Sequence, residues 1–135
     1  MKKVFLGGTC NGSNWRDELI KNIKIDYFNP VVDDWNETAY NEELKQRKIC
    51  DFLLYVITPK MSGVYSIAEV IDDSNKFPNK TIYCFIEKEK IGNLDQYLVF
   101  DKSQLKSLDA VGKMVKTNGG QYLKSFEEII KYLNK

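Results

Sequence analysis

The chain contains no histidine, and this absence restricts its chemistry more than any other feature of its composition. Nucleophile systems that pair serine or cysteine with histidine are excluded, as are histidine metal sites. Carboxylates, tyrosines or lysines must therefore perform any acid–base chemistry. The three cysteines, Cys10, Cys50 and Cys84, are far apart and form no CxxC pair, which argues against a disulfide framework or a zinc site. We expect a protein of the reducing cytoplasm that holds no metal and no cofactor.

Long apolar runs and an excess of one charge are also missing. No apolar segment approaches the roughly 18 residues needed to span a bilayer, and the apolar part of "MKKVFLGGTC" stops at two glycines, too early for a signal peptide. The 20 basic and 19 acidic residues give a formal charge of +1, so no nucleic-acid or membrane partner is implied. With 43% hydrophobic residues, the chain is long enough for a single soluble domain, 1–135, with its own core.

Strand-like and helix-like segments alternate along the chain, which predicts an α/β fold with a parallel sheet covered by helices on both sides. The predicted strands are Lys3–Gly8, Asp26–Val32, Asp51–Thr58, Thr81–Glu87 and a short segment within Gly120–Leu123. The predicted helices are Asn14–Lys24, Glu37–Lys48, Ser62–Lys76, one that is ended by Gly119–Gly120, and Ser125–Lys135. Pro30 indicates that the second strand lies toward an edge of the sheet or ends early. In such sheets ligands bind beyond the carboxyl ends of the strands, where the loops after the first three strands meet.

The first of these loops, "GGTCNGSNWR", combines two glycines with several hydrogen-bond donors. Gly7 and Gly8 let the backbone turn tightly and approach a ligand, and the start of the following helix favours an anion or a polar oxygen. The loop is neither a P-loop nor a GxGxxG motif, and a plain glycine turn is the alternative. Arg16 either clamps a phosphate or pairs with Asp17 or a neighbouring helix. The candidate substrate contacts here are Gly7, Gly8, Thr9, Asn11, Ser13, Trp15 and Arg16.

The second loop, "NPVVDDWNE", places two acids beside a tryptophan at the end of a strand. Asp33 and Asp34 could bind a sugar hydroxyl, protonate a base or hold a metal ion. Their alternative role is to cap the helix that follows, an ordinary position for aspartate. Trp35 could stack on a nucleobase or simply fill the core. We take all three as candidate site residues.

The helix after the third strand, in "SGVYSIAEVIDDSNK", carries a glutamate at the edge of an apolar stripe. The stripe that helical spacing predicts to face the sheet is Val64, Ile67, Ala68 and Ile71. The neighbouring flank, which would lie beside a bound ligand, contains Ser62, Tyr65, Ser66 and Glu69. The alternative for Glu69 is a solvated glutamate on a helix surface, which is common.

Three segments of the chain resemble the nucleoside 2-deoxyribosyltransferase-like proteins. They are "VFLGGTCNGSNWRDELI", "YFNPVVDDWNE" and "CDFLLYVITPKMSGVYSIAEVIDDSNK", and the likeness covers about Lys3 to Ile86. The resemblance implies a flavodoxin-like fold with a parallel sheet of about five strands. It also implies cleavage or transfer of the N-glycosidic bond of 2′-deoxynucleosides or their 5′-phosphates. Glu69 matches the family nucleophile, which forms a covalent deoxyribosyl-enzyme that a base or water resolves.

The resemblance also assigns further residues and partners. Glu43, next to Glu42, is the nearest match to a second family acid, whereas Gly63 stands where well-characterised transferases have an aspartate. Asp33 or Asp34 would then take over as the acid or as a contact to sugar or base. The implied partners are a nucleoside or nucleotide substrate, a free nucleobase and further copies of the chain, in a dimer or larger oligomer.

Two alternative functions stay open at this point. One is a deoxynucleoside 5′-monophosphate N-glycosidase, in which Arg16, Thr9 and Ser13 bind the phosphate and water replaces the acceptor base. The other is a nucleotide-binding module without turnover, which the presence of Gly63 favours.

Overall fold

A five-stranded parallel sheet forms the centre of the computed structural model, which describes residues 1–10 and 12–135. The elements are β1 (Lys3–Gly8), α1 (Trp15–Ile20), β2 (Asp26–Phe28), α2 (Glu37–Ile49), β3 (Phe52–Ile57), α3 (Tyr65–Lys76), β4 (Thr81–Phe85), β5 (Lys88–Lys90), β6 (Tyr97–Val99), α4 (Lys102–Thr117), β7 (Gln121–Tyr122) and α5 (Phe126–Leu133). The strand order is β2-β1-β3-β4-β7, with every neighbouring pair parallel. This is the flavodoxin-like order, so the predicted fold class is confirmed.

Helices cover both faces of the sheet. Alternate residues of each central strand point to opposite faces, so β3 is apolar along its whole length, as a strand buried on both sides must be. One core contains Leu54 and Val56 of β3 packed with residues of α1 and α5: Trp15, Leu19, Ile129 and Leu133. The other contains Leu53, Tyr55 and Ile57 packed with residues of α3 and α4: Val70, Leu108 and Val115.

Several element boundaries differ from the predicted ones. The strand β2 ends at Phe28 rather than Val32, and it lies at the sheet edge, as Pro30 indicated. The helix α1 has only 6 residues and ends at Ile20, four residues before the predicted end at Lys24. An antiparallel hairpin of β5 and β6 follows β4 and was not predicted, because the sequence of β5, "KEK", is polar and carries no apolar alternation.

The predicted sheet-facing stripe of α3 is right for Ile67 and Ile71, which pack against the core, and wrong for Val64 and Ala68. Val64 precedes the helix and is 70% exposed, and Ala68 is exposed as well. The buried face of α3 also carries Glu69, Val70, Asp73 and Ser74. Polar side chains can occupy this face because Asp73 accepts hydrogen bonds there from Tyr55 and Arg47, so its burial leaves no unpaired charge. The buried side of α3 therefore carries polar residues in addition to apolar ones.

No helix among the described residues is long and apolar enough to cross a membrane.

Candidate active site

A cleft of about 530 Å³ opens where β1 and β3 end at their carboxyl edge. Loops after β1, β2 and β3 all contribute to it, which is where a sheet of this order binds ligands. The predicted site residues that line the cleft are Gly7, Gly8, Thr9, Arg16, Trp35, Glu43, Gly63, Ser66 and Glu69. Tyr65, which helical spacing placed on the flank beside a bound ligand, lines the cleft as well. The lining residues that sequence reasoning did not place in the substrate site are Cys10, Pro30, Val31, Val32 and Met61.

One side of the cleft, the loop wall, consists of Gly7, Gly8, Thr9 and Arg16. A Cβ atom on Gly7 would lie 2.5 Å from the ring of Tyr55, and one on Gly8 would lie 2.1 Å from the carbonyl oxygen of Val56. Gly8 also has a φ of 113°, in the left-handed region that side chains rarely adopt. Both glycines are thus required for β1 to pass this close to β3 and to present its backbone to the cleft.

Arg16 braces the loop wall from inside. Its Nε atom donates to the Leu6 carbonyl at 2.9 Å, Nη1 donates to Thr9 at 2.6 Å and Nη2 donates to Gly8 at 3.3 Å. Burial lowers the pKa of the guanidinium to about 10. Thr9 is fixed as well, because its hydroxyl oxygen accepts the backbone N–H of Thr58 at 2.9 Å. The polar groups of this wall are therefore largely engaged within the protein.

Two other predicted residues of the first loop, Ser13 and Trp15, are not among the residues that line the cleft. Ser13 donates its hydroxyl to Glu89 Oε2 at 2.7 Å, toward the hairpin. Trp15 is buried in the core and donates its indole N–H to the Thr9 carbonyl at 2.7 Å, so it supports the loop wall from behind. The prediction for Asn11 falls outside the described residues. The substrate contacts assigned to these three residues stay predictions.

The opposite side, the helix wall, consists of Glu43 from α2 and of Gly63, Tyr65, Ser66 and Glu69 from the start of α3. Glu69 is 8% exposed although it lines the cleft. Its burial raises the pKa of the carboxyl to about 8, and a hydrogen bond with Glu43 and the charge of Glu43 act in the same direction. A carboxyl in this state is suited to acid–base or nucleophilic work near neutral pH.

One oxygen of Glu69 has unused hydrogen-bonding capacity. Oε2 is buried and makes no hydrogen bond within residues 1–10 and 12–135. The nearest cation is Arg47, whose Nη1 atom lies 3.5 Å away in an ion pair. Buried polar atoms are nearly always hydrogen-bonded, so an oxygen without such a bond beside a cleft is a candidate contact for a ligand atom.

A third side, the apolar wall, is formed by the segment after β2: Pro30, Val31, Val32 and Trp35. Trp35 is 61% exposed and packs edge-on against Tyr40, with ring centroids 5.4 Å apart. A large aromatic side chain that is left this exposed at a cleft offers a flat surface for a planar ligand. The apolar "PVV" just past the end of a strand was the signal that could have identified this wall from the sequence.

The two acids beside Trp35 are exposed and lie outside the set of described residues that line the cleft. Neither Asp33 nor Asp34 caps the next helix, because Asn36 does so by accepting the Ala39 N–H at 2.9 Å. Ser62 is exposed and lies next to the lining residue Gly63. The site roles of Asp33, Asp34 and Ser62 stay predictions. Within the described chain, no cluster of three or more metal-ligating side chains is present.

The cleft lies within the part of the chain that matches a known family. The family model described as nucleoside 2-deoxyribosyltransferase like matches residues 1–87. The chain belongs to this family. The match covers β1 to β4 and all three walls of the cleft, and the resemblance of the loop motifs is thereby confirmed. Membership in the nucleoside 2-deoxyribosyltransferase-like family supports an enzyme of glycosyl transfer. No curated protein matches the chain.

Proposed function

We propose that this protein transfers the 2-deoxyribosyl group of a 2′-deoxynucleoside to another nucleobase through a covalent ester on Glu69. The observation that carries the proposal is the buried Glu69 carboxyl in the cleft, with an oxygen that lacks a hydrogen-bond partner in the described chain. The family match gives the glycosyl-transfer class. Because the chain has no histidine, a carboxylate pair is the acid–base system that the cleft offers.

In this mechanism Glu69 and Glu43 act as a pair that holds one proton, because two hydrogen-bonded carboxyl groups cannot both ionise easily. A Glu69 oxygen bonds to the anomeric carbon while the bond from that carbon to the base nitrogen breaks. The electron pair leaves with the base, and the shared proton moves to the base nitrogen. The products are a neutral Glu69 ester, a Glu43 carboxylate and the free base.

The second half-reaction reverses these bonds. An acceptor base attacks the anomeric carbon with its ring nitrogen and gives its N–H proton to Glu43. The ester bond breaks, and Glu69 leaves as a carboxylate with the electron pair. Water in place of the base gives hydrolysis by the same steps, so the two outcomes differ only in what enters the cleft. The apolar wall, with Trp35 exposed in it, suits a planar base.

The loop wall favours a nucleoside over its 5′-phosphate. The three residues that would bind phosphate, Arg16, Thr9 and Ser13, already contact backbone groups or Glu89. Glu89 also accepts the backbone N–H of Asn14 at 3.3 Å, so a carboxylate occupies the donors at the start of α1. Glu89 also pairs with Lys60 Nζ at 3.8 Å, so a phosphate at this point would have to displace an acid that is already hydrogen-bonded and ion-paired. We therefore infer that the deoxynucleoside reacts faster than its 5′-monophosphate, and that Glu89→Gln narrows the difference. A faster reaction of the monophosphate would favour the glycosidase alternative.

The direct test is a panel of deoxynucleosides and their 5′-monophosphates, each with and without an acceptor base, with products separated by chromatography. We expect a new deoxynucleoside only when an acceptor is present, and no product from Glu69→Gln. The matched control is Glu87→Gln, an exposed glutamate outside the cleft, which should exchange bases like the wild type. Exchange by Glu69→Gln at the wild-type rate would overturn the proposal.

The panel also separates transfer from binding alone. Tight calorimetric binding of a nucleoside without any product would indicate a binding module. In that case Gly63→Asp is informative, because a Cβ atom at Gly63 meets nothing within 4 Å and Gly63 lines the cleft. Turnover gained by this variant alone would show that the missing aspartate is the cause of inactivity.

A further inference from the structure

We propose that Arg47 is a positioning residue for Glu69. Asp73 and Asp72 bind the guanidinium of Arg47 and fix its orientation. In that orientation Nη1 faces Glu69 Oε2 without forming a close hydrogen bond to it. This inference rests on the proposed function and adds a residue that neither lines the cleft nor touches the substrate. The argument starts from the contacts of the guanidinium.

Arg47, on α2, is held on two of its three nitrogens. Nε lies 3.1 Å from Asp73 Oδ2 and Nη2 lies 2.7 Å from Asp73 Oδ1, a bidentate fork, and Nη2 also lies 3.2 Å from Asp72 Oδ2. Tyr55 donates its hydroxyl to Asp73 Oδ2 at 2.5 Å from the sheet below. Arg47, Asp73 and Tyr55 are all buried, so the fork has little freedom to rotate.

The third nitrogen, Nη1, is the one that faces the nucleophile. It lies 3.5 Å from Glu69 Oε2, and that oxygen makes no hydrogen bond within the described residues. The charge of Arg47 therefore reaches Glu69 while the oxygen keeps its lone pairs available. A lysine could not do this, because a single ammonium that pairs with Asp73 has no second arm fixed toward Glu69.

The position of Arg47 affects the pKa of Glu69, because the other charged groups around Glu69 are acids. The titratable groups that face it are Glu43 and Arg47 from α2, Tyr65 and Asp73 from α3, and Tyr55 from β3. Glu43 and Asp73 raise the pKa of Glu69, and Arg47 is the cation that lowers it. Without Arg47, Glu69 would be protonated over a wider pH range and less able to act as a nucleophile.

Arg47 also affects the second half-reaction more than the first. Formation of the ester removes the negative charge on Glu69, and breakdown of the ester restores it. A fixed cation next to the departing carboxylate stabilises the transition state of breakdown, because charge develops there. Loss of Arg47 should therefore make the deoxyribosyl-enzyme accumulate, with kcat falling more than kcat/KM and KM falling with it.

The experiment titrates Glu69 directly, in full-length protein labelled with [5-¹³C]glutamate, with the Glu69 resonance assigned by its loss in Glu69→Gln. We expect Arg47→Met to shift the titration of Glu69 upward by about one unit or more. Arg47→Lys, which keeps a charge beside Asp73 and therefore protects folding, should shift it upward by less. Lys45→Met removes an exposed cation from the same helix and should leave the titration unchanged.

Kinetics on the same variants complete the test. We expect rapid-quench mass spectrometry to show a larger steady-state fraction of deoxyribosyl-enzyme in Arg47→Lys than in the wild type. An unchanged Glu69 titration in Arg47→Lys and Arg47→Met, or an unchanged fraction of intermediate, would overturn the positioning role while base exchange by the wild type still stood. Absence of base exchange in the wild type would overturn the proposed function, whatever the titration shows.

Discussion

The two main walls of the cleft differ in how completely their polar groups are satisfied. In the loop wall, Arg16 and Thr9 bond to backbone groups of their own loop and of the segment after β3. In the helix wall, Glu69 is equally buried but keeps an oxygen without a hydrogen bond in the described chain, and its pKa is raised to about 8. The first wall is a rigid frame, and the second holds a carboxyl in a state that costs stability.

This difference indicates that one wall determines the shape of the cleft and that the other wall carries its reactive group. A wall whose donors are engaged fixes the geometry of the cleft and has little left to offer a phosphate. A wall with a buried acid that keeps one oxygen without a hydrogen bond in the described chain is the better candidate for contact with a ligand. Natural proteins accept such local conflicts mainly at functional sites, which favours the helix wall as the site of the proposed reaction.

The largest expected effect is a loss of kcat, which should differ between the two neighbouring acids of α2, Glu42 and Glu43. Glu43 is among the residues that line the cleft and Glu42 is not. Glu42 accepts a hydrogen bond from Gln46 at 2.8 Å. Glu43→Gln cannot carry the shared proton to the base, so kcat should fall by about 10²- to 10⁴-fold. The kcat of Glu42→Gln should fall by less than about threefold when it is measured by the same chromatographic separation of products. Equal losses in the two variants would remove Glu43 from the reaction.

The next largest effect is on stability, and it compares a glycine of the loop wall with a glycine of the helix wall. Gly8→Ala forces a Cβ atom to within 2.1 Å of a carbonyl oxygen at a φ of 113° and should lower the free energy of unfolding by about 3 kcal/mol or more. Gly63→Ala meets open space and should change it by less than about 0.5 kcal/mol. Urea unfolding curves of both variants measure the difference. Equal stabilities would mean that the loop wall is not rigid.

A smaller effect follows from the pKa of Glu69. The folded state holds the Glu69 proton up to about pH 8, whereas the unfolded chain releases it near 4.5. This group therefore contributes least to stability at high pH: its contribution is full below about 4.5 and decreases as the pH rises toward 8. Glu69→Gln should gain stability over the wild type across that range, by an amount on the order of a few kcal/mol at pH 8.

Denaturant unfolding at pH 5 and pH 8 measures this gain. Glu87→Gln, which changes an exposed carboxyl, should unfold like the wild type at both values. A stability difference between Glu69→Gln and the wild type that does not grow with pH would show that Glu69 is ionised in the folded protein.

The smallest expected effect lies on the apolar wall. Trp35→Ala should weaken substrate binding by about 1 kcal/mol or more, seen as a raised KM, because stacking of a base on an aromatic ring contributes about this much. Trp35 is 61% exposed, so the thermal midpoint should hardly change. The control Val99→Ala removes an exposed apolar side chain from β6 and should leave KM unchanged. An unchanged KM in Trp35→Ala would place the base elsewhere.

The sequence predicted the sheet well because its three central strands, β1, β3 and β4, are buried on both faces. Continuous apolar runs such as Phe52–Ile57 have few alternative structures, and Pro30 marked the edge strand correctly. The hairpin of β5 and β6 was missed, because two segments of 3 residues, one polar and one apolar, are too short to show an alternation.

The site was harder to predict, and the helix α3 illustrates why. Helical spacing placed only apolar residues of α3 against the core, whereas the structure also buries Glu69 and Asp73. The pairing of Asp73 with Arg47 and Tyr55 makes this possible, and these residues are 26 and 18 positions away in the sequence. Hydrophobic periodicity does not reveal hydrogen bonds between residues that are this far apart in the sequence. Helical spacing singled out Glu69, the resemblance to a family gave it the role of nucleophile, and its burial is a finding of the structure.

The most direct test of the account is intact-protein and peptide mass spectrometry after rapid quenching with a reactive 2′-deoxynucleoside in the absence of an acceptor base. The account predicts a mass increase of one deoxyribosyl group, located on the peptide that contains Glu69, lost on addition of a free base and absent from Glu69→Gln. A label on another residue, or base exchange at an undiminished rate by Glu69→Gln, would contradict it.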